Sequence, residues 1–388
     1  MTILHVALSF LLGAAIVSII AERLRLPYTV ALVIAGLLIG LSRLAPPVVL
    51  TPDVLLTLVI PPLLFEAALR LPTEHLRTYG VFIGFSAVVG TFIAALVIAW
   101  AAAAVGGLPV PAALLLGAIA AAIDPVSVIA LIQEARLDPR LGTILESEAV
   151  LNDGVVIVLF TVLAGQSAFV PIAAAAQFVW LVGIGGLVGV ALGAGIAWAL
   201  GRVTQSLVEA LGSLILLAAS VVVAAGVGAS GIIAVMCAGV VFARSRERMP
   251  AAAGRDIVGT VWEFIAFLAN SALFLFIGLR VPVSLLLHHG RLIAVVIVAA
   301  LAVRVLTVYG FAAVSQRRGV PVPRPWRPVL VWGGLRGGVA IALVLSLAPG
   351  LPGRDAVAAA VFGLVVFTLL GQGLSMRVLM RRVGLLRD

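Results

Sequence analysis

The sequence predicts an all-α polytopic membrane protein of about thirteen transmembrane helices, arranged as two inverted repeats whose discontinuous helices cross at the midplane. Three observations predict it. The 388 residues are 63% hydrophobic and 11% charged, with a mean hydropathy of +1.28, against roughly 25% charged residues in soluble chains. The apolar residues fall into runs long enough to cross a hydrocarbon layer about 30 Å thick. Two of those runs, at similar places in the two halves, are interrupted by proline or glycine, the pattern left by half-helices that meet inside a bilayer.

In order, the runs lie near 2–21, 28–42, 51–70, 78–105, 110–134, 140–165, 169–200, 207–227, 230–243, 255–279, 291–315, 326–348 and 355–380. The first resembles a signal peptide in hydrophobicity. It has no basic start, and Arg23 and Arg25 follow it, so an uncleaved span entering from outside is expected. Runs 28–42 and 230–243 are short and occupy similar places in the halves. The fifth run is broken at Asp124-Pro125 and the twelfth across Gly333-Gly334-Leu335-Arg336-Gly337-Gly338. The repeats then cover roughly 1–165 and 207–382 of a single 1–388 transmembrane domain, and the odd span 169–200 lets the second half insert upside down. Gly185, Gly189 and Gly193 on that span permit close helix contact; internal packing and a protomer interface both stand as readings.

An outside N-terminus places 19 arginines in cytoplasmic segments and four, Arg43, Arg280, Arg291 and Arg354, outside. The positive-inside rule then puts the C-terminus in the cytoplasm. All 25 basic residues are arginine. Without lysine there is no phosphate-cradling G-x-x-x-x-G-K-[ST] loop and no Schiff base, so ATP-driven pumping and retinal chemistry are unsupported, and an ion gradient is the expected energy source. The net charge of +9 flanks apolar spans, which points to membrane lipid and not to nucleic acid. Cys237 alone excludes an intramolecular disulfide, and four histidines near span ends offer no metal site. No cofactor is expected. About eight residues after the last run leave little room for a C-terminal regulatory domain.

The chemistry rests on charges inside apolar runs, each of which costs roughly 2.5–3.5 kcal/mol at the bilayer centre. Pro125 disfavours helix at Asp124, so the fifth span is expected to unwind there. Asp124 then caps the second half-helix with Pro125 at its first position, while carbonyls near Ala121 to Ile123 face the gap. Asp124 is either a pocket group or a cap alone. On the sixth span Ala149, Asn152 and Asp153 share a helical face, and Asp153 is the expected carrier of a proton or a hard cation, with packing as the alternative. Glu66, four residues after Pro62, lines the mouth of the site or snorkels beside Arg70. Arg304, in the middle of the eleventh span, needs a buried acid, and Glu148 is the expected partner. Arg336 offsets carbonyl ends in the broken twelfth span. Ser127 is a further candidate hydroxyl.

Leu63-Leu64-Phe65-Glu66-Ala67-Ala68-Leu69, Asp124-Pro125-Val126, Glu148 through Asn152-Asp153, Phe267-Leu268-Ala269-Asn270-Ser271, Ala302-Val303-Arg304-Val305-Leu306 and Gly333 through Gly338 together resemble the NhaP/NHE type of sodium/proton antiporter, in the first monovalent cation:proton antiporter family. The resemblance implies an NhaA/NhaP-like fold with core and dimerisation parts interleaved in sequence, a homodimer, elevator-like motion and a place in a bacterial or archaeal inner membrane. It implies a sodium site at Asp124 and Asp153, with the Ile123 backbone carbonyl contributing, Glu66 nearby or water-mediated, and Glu148 and Arg304 as a structural ion pair. Asn152-Asp153, where electrogenic relatives carry two aspartates, implies electroneutral exchange. Ala149 stands where the family usually has serine, and Ile123 where it often has threonine, which leaves sodium, lithium and potassium as candidate cations. A passive channel or non-transporting sensor would lack obligatory counter-transport. An anion carrier would need Arg304 and Arg336 unpaired.

Overall fold

The computed structural model describes residues 3–24, 26–42, 54–71, 73–165, 170–201, 203, 205–247, 255–281 and 283–386, and the secondary structure among them is helical. Helix falls on every predicted apolar run. Among the described residues, seven helices are long and apolar enough to cross a membrane unaided: Thr78–Ala104, Pro139–Ala164, Pro171–Leu200, Ser206–Gly226, Ile257–Leu279, Gly290–Arg317 and Arg354–Arg382. Tyr28–Leu41 and Val110–Ala120 are shorter apolar helices. A further short helix, Val283–His288, lies outside the predicted runs.

Three π-helical stretches interrupt otherwise regular helices: Leu55–Val59, Phe85–Val89 and Phe367–Gly373. The first has a local cause. It runs into Ile60–Arg70, where Pro61 and Pro62 supply no N–H to the carbonyls one turn back, and the backbone widens there instead of holding α geometry.

The chain forms two compact units, each assembled from separated segments. The first comprises Met1–Pro52, Glu74–Val156 and Asn270–Asp388, and the second Asp53–Thr73 and Ile157–Ala269. In the first unit Val110–Ala120 lies backbone to backbone against Gly90–Ala104. A Cβ on Gly117 would stand 2.1 Å from the Ala95 carbonyl oxygen, so glycine is required for this approach.

In the second unit, Phe65, Leu216, Val235, Phe242, Val258 and Trp262 form a buried cluster. The Phe65 and Trp262 rings pack at 4.6 Å, and Trp262 Nε1 donates to Ser213 Oγ at 2.8 Å. The structure decides between the two readings of the glycine stripe. Gly185, Gly189 and Gly193 lie against Gly231–Glu247 and the residue before it, where added Cβ atoms would stand 2.7, 2.2 and 2.9 Å from the carbonyl oxygens of Ser230, Ala234 and Ala238. The stripe is internal packing.

Candidate ion-binding site

Both interrupted runs break where the sequence indicates, and both breaks belong to the first unit. The fifth run forms Val110–Ala120, unwinds, and resumes as Val126–Glu134. The twelfth forms Trp326–Trp332 and resumes as Gly338–Leu345. The two unwound stretches bond to each other: Asp124 N donates to Leu335 O at 2.8 Å, and Arg336 Nη1 donates to Ala122 O. The sequence expectation is corrected here in two details. Pro125 occupies the N-cap position and the second half-helix begins at Val126. The carbonyl that Arg336 meets comes from the fifth run, not from its own.

Asp124 accepts from the first N–H of two helices at once. Its Oδ1 accepts from Val126 N at 3.2 Å and its Oδ2 from Gly338 N at 3.4 Å. A carboxyl oxygen therefore faces the positive end of each second half-helix, while the Arg336 guanidinium covers a carbonyl at the negative end of a first half-helix, each favourable to the helix dipoles. Gly337 makes the arrangement possible, since a Cβ there would stand 1.8 Å from Asp124 Oδ2. Arg336 is itself fixed from behind, its N–H donating to Thr368 Oγ1 at 3.0 Å.

Asn152 and Asp153 come from Pro139–Ala164. The Asn152 amide straddles the first break: its Oδ1 accepts from Ile123 N at 2.8 Å, and its Nδ2 donates to Ala121 O at 3.1 Å and to Thr91 Oγ1 at 2.6 Å. Asp153 contrasts with it. Its Oδ1 is buried and has no hydrogen-bond partner among the described residues. Ala149, on the same face, is buried and brings no polar atom.

Glu148 and Arg304 are both buried and form a two-pronged pair. Arg304 Nη1 donates to Glu148 Oε1 and Nη2 to Oε2 at 2.9 Å, while Nε and Nη2 also reach Leu330 O at 3.2 and 2.9 Å. Ser86 Oγ adds a donor to Glu148 Oε1. Burying either charge alone would cost several kcal/mol, and saturation of both with hydrogen bonds is the condition under which such a pair is tolerated.

Asp124, Ile123, Asn152, Asp153, Glu148, Arg304 and Arg336 thus fall together within the first unit. Glu66 belongs to the second. It pairs with Arg70 one helical turn on, and Arg70 Nη2 also approaches Glu263 Oε2 at 3.6 Å. The Ser127 side chain lies outside the described residues. Sequence reasoning passed over Thr91, Ser86 and Thr368, the hydroxyls that hold Asn152, Glu148 and Arg336 in place. Ser86 and Thr368 sit on the π-helical stretches Phe85–Val89 and Phe367–Gly373, and Thr91 follows the first of these. A π-turn in an otherwise regular helix often marks a functional site, yet apolar periodicity does not reveal it.

The family described as "Sodium/hydrogen exchanger, transmembrane" matches residues 8–382. The Na(+)/H(+) antiporter ApNhaP of Aphanothece halophytica is 38% identical over 391 residues, which cover 99% of this chain and 75% of that protein. The Na(+)/H(+) antiporter NhaP of Pseudomonas aeruginosa is 33% identical, covering 93% of this chain and 92% of its own length. The solved structure of the sodium proton antiporter MjNhaP1 from Methanocaldococcus jannaschii superposes with a TM-score of 0.77 across 98% of each chain, at 20% identity, and so shares the fold. The chain is a multi-pass, all-helical membrane protein and belongs to the transmembrane sodium/hydrogen exchanger family.

Proposed function

We propose that this protein exchanges cytoplasmic sodium for a proton, one for one and without net charge movement, with the two ions competing for Asp153. The observation that carries this reading is the Asp153 carboxylate, one oxygen of which is buried without a donor among the described residues. An anionic oxygen so placed is neutralised by taking up a proton or a cation, because an uncompensated charge in a low-dielectric interior is costly. Holding one excludes the other, and that exclusion is the coupling.

In this reading Asp153 carries the ion, and Asp124, the Ile123 carbonyl and the Asn152 amide frame the sodium site, with Ser127 as a further oxygen donor. The Glu148–Arg304 pair is structural, and Arg336 compensates the carbonyl end of the broken helix. Thirteen spans run from an outside N-terminus to a cytoplasmic C-terminus in a bacterial or archaeal inner membrane. They form inverted repeats over roughly 1–165 and 207–382 about the linking span 169–200, with interleaved core and dimerisation parts and elevator-like motion in a homodimer. Support comes from relatives named as Na(+)/H(+) antiporters that align over 93% and 99% of the chain.

The test is reconstitution into acid-loaded liposomes. Added sodium should collapse the proton gradient, with lithium and potassium measured alongside to rank the cations. Asp153→Asn should abolish the response; full exchange by that variant would defeat the mechanism.

A further inference from the structure

The Thr91 hydroxyl, buried on Gly90–Ala104, lies 2.5 Å from Ala87 O and 2.6 Å from Asn152 Nδ2. A carbonyl only accepts, so the Thr91 proton goes to Ala87 and the hydroxyl turns a lone pair toward residue 152. Position 152 therefore faces two acceptors, Thr91 Oγ1 and Ala121 O, and one donor, Ile123 N. An amide, with two N–H bonds and one oxygen, matches that set completely. A carboxylic acid matches two of the three, and a carboxylate would press an anionic oxygen against the Ala121 carbonyl and draw the Thr91 proton away from Ala87 O.

The positive charges nearby do not reverse this preference. Arg304 and Arg336 line the same small cavity as Thr91 and Asn152, but Arg304 is engaged by Glu148 and Leu330 O, and Arg336 by Ala122 O. Whenever Asp153 is ionised, it adds negative charge beside position 152.

We propose that Thr91 is a positioning residue that locks Asn152 across the break between Ala121 and Ile123 and, together with the Ala121 carbonyl, disfavours an ionised carboxylate at position 152. The inference rests on the sodium/proton reading and deepens it: electroneutrality is built into the donor–acceptor pattern around residue 152 as well as into the identity of that residue.

Reconstituted wild type, Thr91→Ser, Thr91→Val and Asn152→Asp test it. Thr91→Val keeps the side-chain volume and leaves a buried amide donor without its acceptor, so half-saturating sodium should rise roughly tenfold while the maximal rate stays within about twofold, a binding effect separate from turnover. Thr91→Ser should restore wild-type values. Unchanged sodium dependence in Thr91→Val overturns the proposal. Asn152→Asp should exchange at a rate indifferent to an imposed membrane potential, and a potential-dependent rate overturns the proposal even if Thr91→Val fails to fold. A wild type without sodium-driven exchange defeats the antiporter reading instead. The positioning role is then decided by infrared spectra of purified Asn152→Asp at neutral pH, where an added carboxylic-acid carbonyl band supports it and added carboxylate bands refute it.

Discussion

Asp124 and Asp153 lie within one unit, in different surroundings. Asp124 receives an N–H from each of two half-helices, whereas Asp153 keeps a buried oxygen without a donor among the described residues. Gly337 guards the first arrangement. In Gly337→Ala the new methyl would meet Asp124 Oδ2 at 1.8 Å and turn the carboxylate off both N–H groups. Sodium-driven proton flux should fall roughly tenfold or more, while Gly350→Ala, where a Cβ meets nothing within 4 Å, should behave as wild type. A flux measurement on the two variants checks this. Charged members of the site were legible in the sequence because a charge in a lipid-spanning run is anomalous on its face. Thr91, Ser86 and Thr368 were not, because a hydroxyl in an apolar helix commonly bonds its own backbone and leaves no mark in composition.

At the scale of elements, the half-helix Val126–Glu134 ends at a strained residue. Arg136 has φ of +49°, with Arg136 N bonded to Gln133 O and Leu137 N to Ile132 O, a helix stop that ordinarily uses glycine. A left-handed non-glycine residue costs roughly 1–2 kcal/mol, and glycine returns part of that as unfolded-chain entropy. Exposed Arg136→Gly should therefore stabilise the purified protein by roughly 0.5–1 kcal/mol, read as a raised thermal unfolding midpoint in detergent; a lowered midpoint would show that the side chain contributes more than its backbone costs. This stop, like the π-turns, escaped sequence reading because arginine carries no left-handed signal and a π-turn replaces no hydrophobic residue. The long runs and the two breaks were legible, since length, proline and paired glycines are local properties. The one-residue displacement at Pro125 is of the size by which helix ends ordinarily differ.

At the scale of the whole molecule, the proposed cycle moves one positive charge each way. Exchange by the wild type in potassium-loaded liposomes should keep the same rate when valinomycin clamps the potential at zero or at a large negative value. Acceleration at negative potential would require a second charge to move. The succession of apolar runs announced a many-span helical protein, but not which spans cluster. The first unit draws on three separated segments and the second on two, a partition set by which faces pack together, and hydropathy along one run carries no record of its neighbours. The glycine stripe of Pro171–Leu200 illustrates this: its spacing signalled a contact, and only the fold identified Gly231–Glu247 as the partner.

The double tether at Asp124 has a mechanical corollary. Because one carboxylate fastens Val126–Glu134 and Gly338–Leu345 alike, and the Asp124 amide joins the unwound strands a second time at Leu335, neither rod can swing without dragging its counterpart. The pair is yoked, and any displacement of one half-helix is shared by the other.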